Sequence, residues 1–112
     1  MTGHQFEHHC AEILRAQGWD AQVTQASGDQ GVDVIARRGR TVLALQCKLW
    51  ASPVGNAAVQ EVLAGKHFIG ANAAAVVSTA GYTEAARQLA ARANVALLRL
   101  ADLERIDAIL QF

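Results

Sequence analysis

The sequence predicts an α/β domain: a central mixed sheet flanked by helices, in the order αβββαβ, with an added C-terminal strand and helix. Three observations carry this. The opening segment repeats apolar residues at helical spacing; three short strand-like runs follow with only turns between them; later apolar runs alternate with helical ones. At 112 residues the chain can bury one core but not two, so residues 1–112 are expected to be a single domain.

Each element has its own signals. Residues from Gly3 to Gln17 read as a helix with an apolar stripe of Phe6, Cys10, Ile13 and Leu14, stopped at Gly18. Glu12 falls on the opposite, solvated side. Glu7 sits at the border of the stripe, where a carboxylate can lean toward the sheet. Trp19 to Gln25 alternates as a strand, and Val32 to Arg37 with Thr41 to Trp50 forms a hairpin about Arg38-Gly39-Arg40. Pro53 breaks the strand pattern, and Val54 to Gly70 is a helix with Val59, Val62, Leu63 and Ile69 on one side. Ala73 to Thr79 reads as a buried strand. Thr83 caps a helix that runs to Ala93 and closes at Asn94. Val95 to Leu100 is a last strand and Ala101 to Leu110 a last helix. The first three strands can pair by short turns as an antiparallel meander, whereas strands reached through helices should lie parallel to a neighbour.

Ten basic and ten acidic residues balance, which weakens a reading based on net attraction to nucleic acid but leaves room for a local basic patch. The densest one is Arg37, Arg38 and Arg40, either a solvated hairpin tip or a DNA-binding cluster. No apolar run approaches the length of a membrane span, and the N-terminus lacks the apolar segment of a signal peptide. Cys10 and Cys47 read as small buried thiols, which suits a reducing compartment and a cytoplasmic location.

The chemistry lies in the longest strand. Leu43, Leu45, Cys47 and Leu49 share one face, and Gln46 and Lys48 stand together on the other. An amide and an ammonium in a strand that otherwise reads as buried require partners. Asp33 is the nearby anion, brought close by the hairpin. A carboxylate, an amide oxygen and a lysine at one point of a sheet suggest metal-assisted phosphodiester chemistry. The bland alternative is a structural ion pair of Asp33 with Lys48.

Phe6-Glu7, Gly18-Trp19, Gly28-Asp29-Gln30-Gly31-Val32-Asp33, Gln46-Cys47-Lys48, Val59-Gln60-Glu61 and the Val-Val-Ser-Thr strand together resemble the Mrr-type restriction endonuclease catalytic domain. That family is the Gln-x-Lys variant of the PD-(D/E)XK nucleases, and the resemblance covers nearly the whole chain in order. It implies a restriction-endonuclease-like fold and a DNA endonuclease of the kind found in type IV enzymes, which act on modified DNA. It further implies Mg²⁺ or Mn²⁺ held by Asp33, the Gln46 amide oxygen and the Cys47 backbone carbonyl, with Glu7 joining through a bound water. Lys48 would position or deprotonate the attacking water or stabilise charge on the phosphate. Asp29 and Gln60 match the family and could support the site. Asp29 reads equally as a turn residue, and Gln60 as a polar helix edge. Relatives also include silent binding or assembly modules and junction-resolving or repair nucleases. A homodimer and a separate DNA-recognition protein or domain are the partners such a domain would call for.

Two further features read as weaker. His4 and His8 are spaced i, i+4 with His9 and Cys10 beside them, but the helical projection sends His8 to solvent and Cys10 to the core. A four-ligand structural zinc site is therefore not expected. Trp50, on the face of Gln46 and Lys48, is a candidate for the rim of the site.

Overall fold

The computed structural model describes residues 1–25 and 31–110. Helix α1 (Gly3–Arg15) opens with a reciprocal cap: Gln5 N–H donates to Thr2 Oγ1 at 3.1 Å, and Thr2 N–H to Gln5 Oε1 at 2.8 Å. Its stripe of Phe6, Cys10, Ala11 and Leu14 is buried, and Ile13 packs at the margin. Strands β1 (Asp20–Val23), β2 (Val34–Arg38) and β3 (Thr41–Lys48) form the expected antiparallel meander. After helix α2 (Asn56–Ile69), strand β4 (Ala73–Ser78) pairs parallel to β3. After helix α3 (Glu84–Ala93), β5 (Val95–Arg99) pairs parallel to β4. The sheet order is therefore β1-β2-β3-β4-β5.

Two cores result, one on each face, as a sheet covered on both sides requires. Beneath α1, Leu43, Leu45, Cys47, Val34, Ala36 and Val77 pack with Leu103 and Ile106 of the C-terminal segment. On the other face Ala44, Ala74, Val76 and Val95 meet Val59 and Val62 of α2 and Ala86 and Ala90 of α3. The alternation read from the sequence thus decides which residues of β3 serve which core.

Several boundaries move. Strand β3 ends at Lys48, because the chain turns away and Trp50 instead exchanges bonds with Thr79: its N–H donates to Thr79 Oγ1 at 3.0 Å, and that hydroxyl donates to the Trp50 carbonyl at 2.8 Å. Helix α2 starts at Asn56, since Val54 is occupied in an isolated parallel bridge to Tyr82. The C-terminal helix is split into a 3-10 segment (Leu100–Arg105) and a short helix α4 (Ile106–Leu110). Asp102 sets that tighter start by accepting the Arg99 N–H at 2.8 Å.

Candidate active site

The hairpin places Asp33 one residue before β2. Val34 pairs with Leu45, and Asp33 just ahead of it is bound to the same residue of β3. Its backbone continues the ladder, with its N–H donating to the Leu45 carbonyl at 2.8 Å and its carbonyl accepting from Thr24 N–H at 2.9 Å. Its side chain then does what the ladder would have done one rung on: Oδ2 accepts the Cys47 N–H at 2.8 Å. The carboxylate is therefore fixed by the sheet itself rather than by a flexible partner.

Three further groups surround it. Glu7, half-buried on α1, brings its carboxyl within hydrogen-bonding reach of Asp33. Burial pushes the Asp33 carboxyl above the usual aspartate range, the Cys47 N–H opposes that rise, and the Glu7 charge adds to it. Lys48 is close enough to pull in the opposite direction, yet among the described residues it makes no ion pair. Its ammonium lies over the Trp50 ring, 4.9 Å from the centroid, and Trp50 itself is 46% exposed. A structural Asp33–Lys48 salt bridge is thus not what holds these groups.

Gln46 is 3% exposed and supplies the most telling atom. Its amide NH₂ donates to Glu61 Oε2 of α2 at 3.1 Å. An ionised carboxylate only accepts, so Glu61 dictates which end of the amide it faces and turns Oε1 the other way. That buried oxygen accepts no hydrogen bond among the described residues. A buried acceptor left without a donor costs roughly 1–3 kcal/mol, and a cation is one way to satisfy it. Two adjacent carboxyls, one held above its ordinary pKa, together with an unsatisfied amide oxygen fit a hard divalent ion with oxygen ligands. Among the described residues no group of three or more His, Cys, Asp or Glu is arranged as a metal cluster. The fit therefore depends on the amide and a backbone carbonyl beside two acids.

Other sequence candidates separate from this point. The α2 side chain bonded to Gln46 is Glu61, while its neighbour Gln60 is exposed. Asp29, with Gly28 and Gln30, lies outside the described residues. Gly31 sits at φ +85°, where a Cβ would come within 2.6 Å of the Glu61 carbonyl, so that loop end is pressed directly onto α2. The arginine cluster occupies the far end of the hairpin, five residues and about 17 Å from Asp33. Arg38 is committed there: it donates to the Gln17 carbonyl at 3.1 Å, pairs with Asp107, and stacks on Trp19 at 4.5 Å. Arg37 and Arg40 are exposed but share that distant position. The sequence reading left this cluster as either a solvated hairpin tip or a DNA-binding cluster, and the structure sets it at the turn end of β2, away from the acids. Glu61 was hidden in the sequence because adjacent helical residues differ by about 100° in direction, and only the docking of α2 selects between them.

The thiols follow the sequence reading. Cys10 and Cys47 are free and buried, and a hydrogen bond between them, with burial, pushes the Cys47 thiol well up from its ordinary value. Ser78 and Thr79 act as strand-end polar groups; Ser78 Oγ accepts from Ala80 N–H at 2.9 Å.

Comparison with known proteins gives the family and the fold. A family model, Mrr_cat, described as a restriction endonuclease, matches residues 1–107. No curated protein matches the chain. Among solved structures, a protein of unknown function superposes with TM-score 0.75 at 19% identity, over 89% of this chain and 59% of that one. A Holliday junction resolvase, Hjc from Archaeoglobus fulgidus, gives 0.56 at 25% identity over 70% and 64%. The MspJI restriction endonuclease, solved with a 27-mer oligonucleotide, gives 0.63 at 21% identity over 90% and 26%. The chain thus spans less than two thirds of each of these proteins.

Proposed function

Because the chain belongs to the Mrr_cat restriction endonuclease family, matched from residue 1 to residue 107, we propose that it is a divalent-metal-dependent DNA endonuclease hydrolysing phosphodiester bonds. The observation that carries this reading is the meeting of the Asp33 and Glu7 carboxyls with a Gln46 Oε1 and a Lys48 ammonium that, among the described residues, have no hydrogen-bond donor and no ion pair respectively. Asp33, Gln46 Oε1 and the Cys47 carbonyl would hold Mg²⁺ or Mn²⁺, with Glu7 contributing through a water. The ion, when bound, would supply charge neutralisation at the phosphoryl oxygen and acidify the attacking water. The chain's own groups do the rest. Lys48 offers a positive charge where negative charge grows on the phosphate, and it can orient the water. Trp50 provides an exposed ring for a base at the rim. The Cys47 N–H and the Glu61 carboxylate fix Asp33 and Gln46 in advance, which lowers the cost of orientation.

DNA as substrate is supported by the family and by the oligonucleotide bound to the similar MspJI. Modified DNA is the substrate class that an Mrr-type domain would take. The likeness to Hjc favours a second reading, a nuclease acting on branched DNA. A second copy of the chain, needed to cut both strands, and a separate recognition module belong to the proposal, as does a cytoplasmic site of action.

The test is cleavage of plasmid, methylated and four-way-junction DNA with Mg²⁺ or Mn²⁺, alongside calorimetric metal binding. The proposal expects cleavage that is lost in Lys48→Ala, and metal binding that is lost in Asp33→Ala. DNA binding that survives in both variants without any metal-dependent cleavage by the wild type would instead identify a silent module.

A further inference from the structure

Helix α1 carries a second set of donors that the nuclease reading does not use. His4 and His8, spaced i, i+4 on one helix face, meet one turn from each other with their Nε2 atoms 3.1 Å apart. The rings stand edge to face, 4.6 Å between centroids. On the far side of the first ring, His4 Nδ1 faces Glu7 Oε1 at 3.4 Å. A carboxylate beside Nδ1 favours the tautomer with its proton on that nitrogen, which leaves the Nε2 lone pair of His4 toward His8. Cys10 plays no part, since it faces the core.

The separation of the two nitrogens is the informative quantity. Two imidazoles bound to one ion at about 2.0–2.1 Å stand ~2.9 Å apart at a right angle and ~3.4 Å apart at the tetrahedral angle. The observed 3.1 Å lies between these values, so the two nitrogens already have the spacing one ion needs, and each ring meets it by turning its lone pair off the line that joins them. In the free pair one Nε2 must carry the shared proton; on binding, the His8 proton moves to its own Nδ1 and both Nε2 lone pairs are released to the metal.

We propose that His4 and His8 form a two-imidazole site for a divalent transition ion, Zn²⁺, Cu²⁺ or Ni²⁺, with its remaining positions filled by water. Imidazole pairs favour these ions, whereas Mg²⁺ prefers the oxygen donors around Asp33. Two protein ligands make it an exchangeable surface site, not a structural one of the four-ligand kind. Glu7 lies between the two sites, touching His4 on one side and Asp33 on the other. The inference does not depend on nuclease activity.

The test is calorimetric titration of the untagged full chain with ZnCl₂ in excess Mg²⁺, comparing wild type, His8→Ala, His4→Ala/His8→Ala and Asp33→Ala. Thermal unfolding of each variant confirms that it is folded. One Zn²⁺ per wild-type chain is expected, bound about tenfold or more weakly by His8→Ala, absent from the double variant and retained by Asp33→Ala. With Cu²⁺, paramagnetic resonance should show two coordinated nitrogens in the wild type. Equal Zn²⁺ affinity in wild type and double variant, or loss in Asp33→Ala alone, would overturn the assignment.

Discussion

The two ends of the β2–β3 hairpin solve opposite problems. At the turn, charge and polarity are matched: Arg38 serves the Gln17 carbonyl, Asp107 and the Trp19 ring, and Asn72 joins the neighbouring strand by accepting the Val42 N–H and donating to the Arg40 carbonyl. At the Asp33 end, among the described residues, an amide oxygen has no donor and an ammonium no ion pair, and Glu7 of α1 sets a second carboxyl against Asp33. One end is built to be stable alone, the other to be completed by something else. Arg38, part of the cluster that looks most like a nucleic-acid site in the sequence, belongs to the first kind, while Arg37 and Arg40 beside it are exposed.

The largest effect should come from breaking the unfinished end. Asp33→Asn keeps an acceptor for the Cys47 N–H but removes a charge that burial and Glu7 both disfavour. Cleavage should fall by about 10²–10³-fold or more, while the metal-free variant melts higher than wild type at neutral pH. The sign follows from linkage. The folded-state pKa is raised, so this residue's contribution is fully present below about pH 4, the unfolded value. It is lost as pH rises through the folded value. Metal-free wild type should therefore lose stability over that interval, and Asp33→Asn should lose less. A variant that melts lower than wild type in the absence of metal would contradict the account of the acid pair.

Gly31→Ala should be the largest loss of stability, about 2 kcal/mol, because both its positive φ and the Glu61 carbonyl exclude a Cβ. Denaturant unfolding measures it. Arg38→Ala tests the finished end. Its pair with Asp107 is partly exposed and counts for little, so the loss of its carbonyl bond and ring stacking should cost about 1 kcal/mol with metal affinity unchanged. Smallest is Glu61→Gln, which can still accept from Gln46 but no longer forces the amide to face one way. Mn²⁺ affinity should drop a few-fold with the melting temperature held, and calorimetry would detect it.

Much of this was legible in the residues, and the failures have physical reasons. The order of elements, the α1 stripe and the division of β3 between two faces follow from periodicity, which burial enforces. Asp33 and Gln46 could be brought together because a hairpin folds distant residues side by side. Glu61 could not be told from Gln60, since helix docking is a property of the whole sheet. The role of Arg38 depended on Trp19 and on Asp107, which lies 69 residues away, and no local pattern carries that information. The early end of β3 was similarly set by Thr79, a partner just past the end of β4.

Cys47 ties these observations to the interior. Its amide anchors the aspartate, while its sulfur belongs to the layer under α1 and meets Cys10. A bulkier or oxidised group at Cys10 would push on the very peptide that aims the acid, so repacking that layer amounts to retuning the reaction from behind.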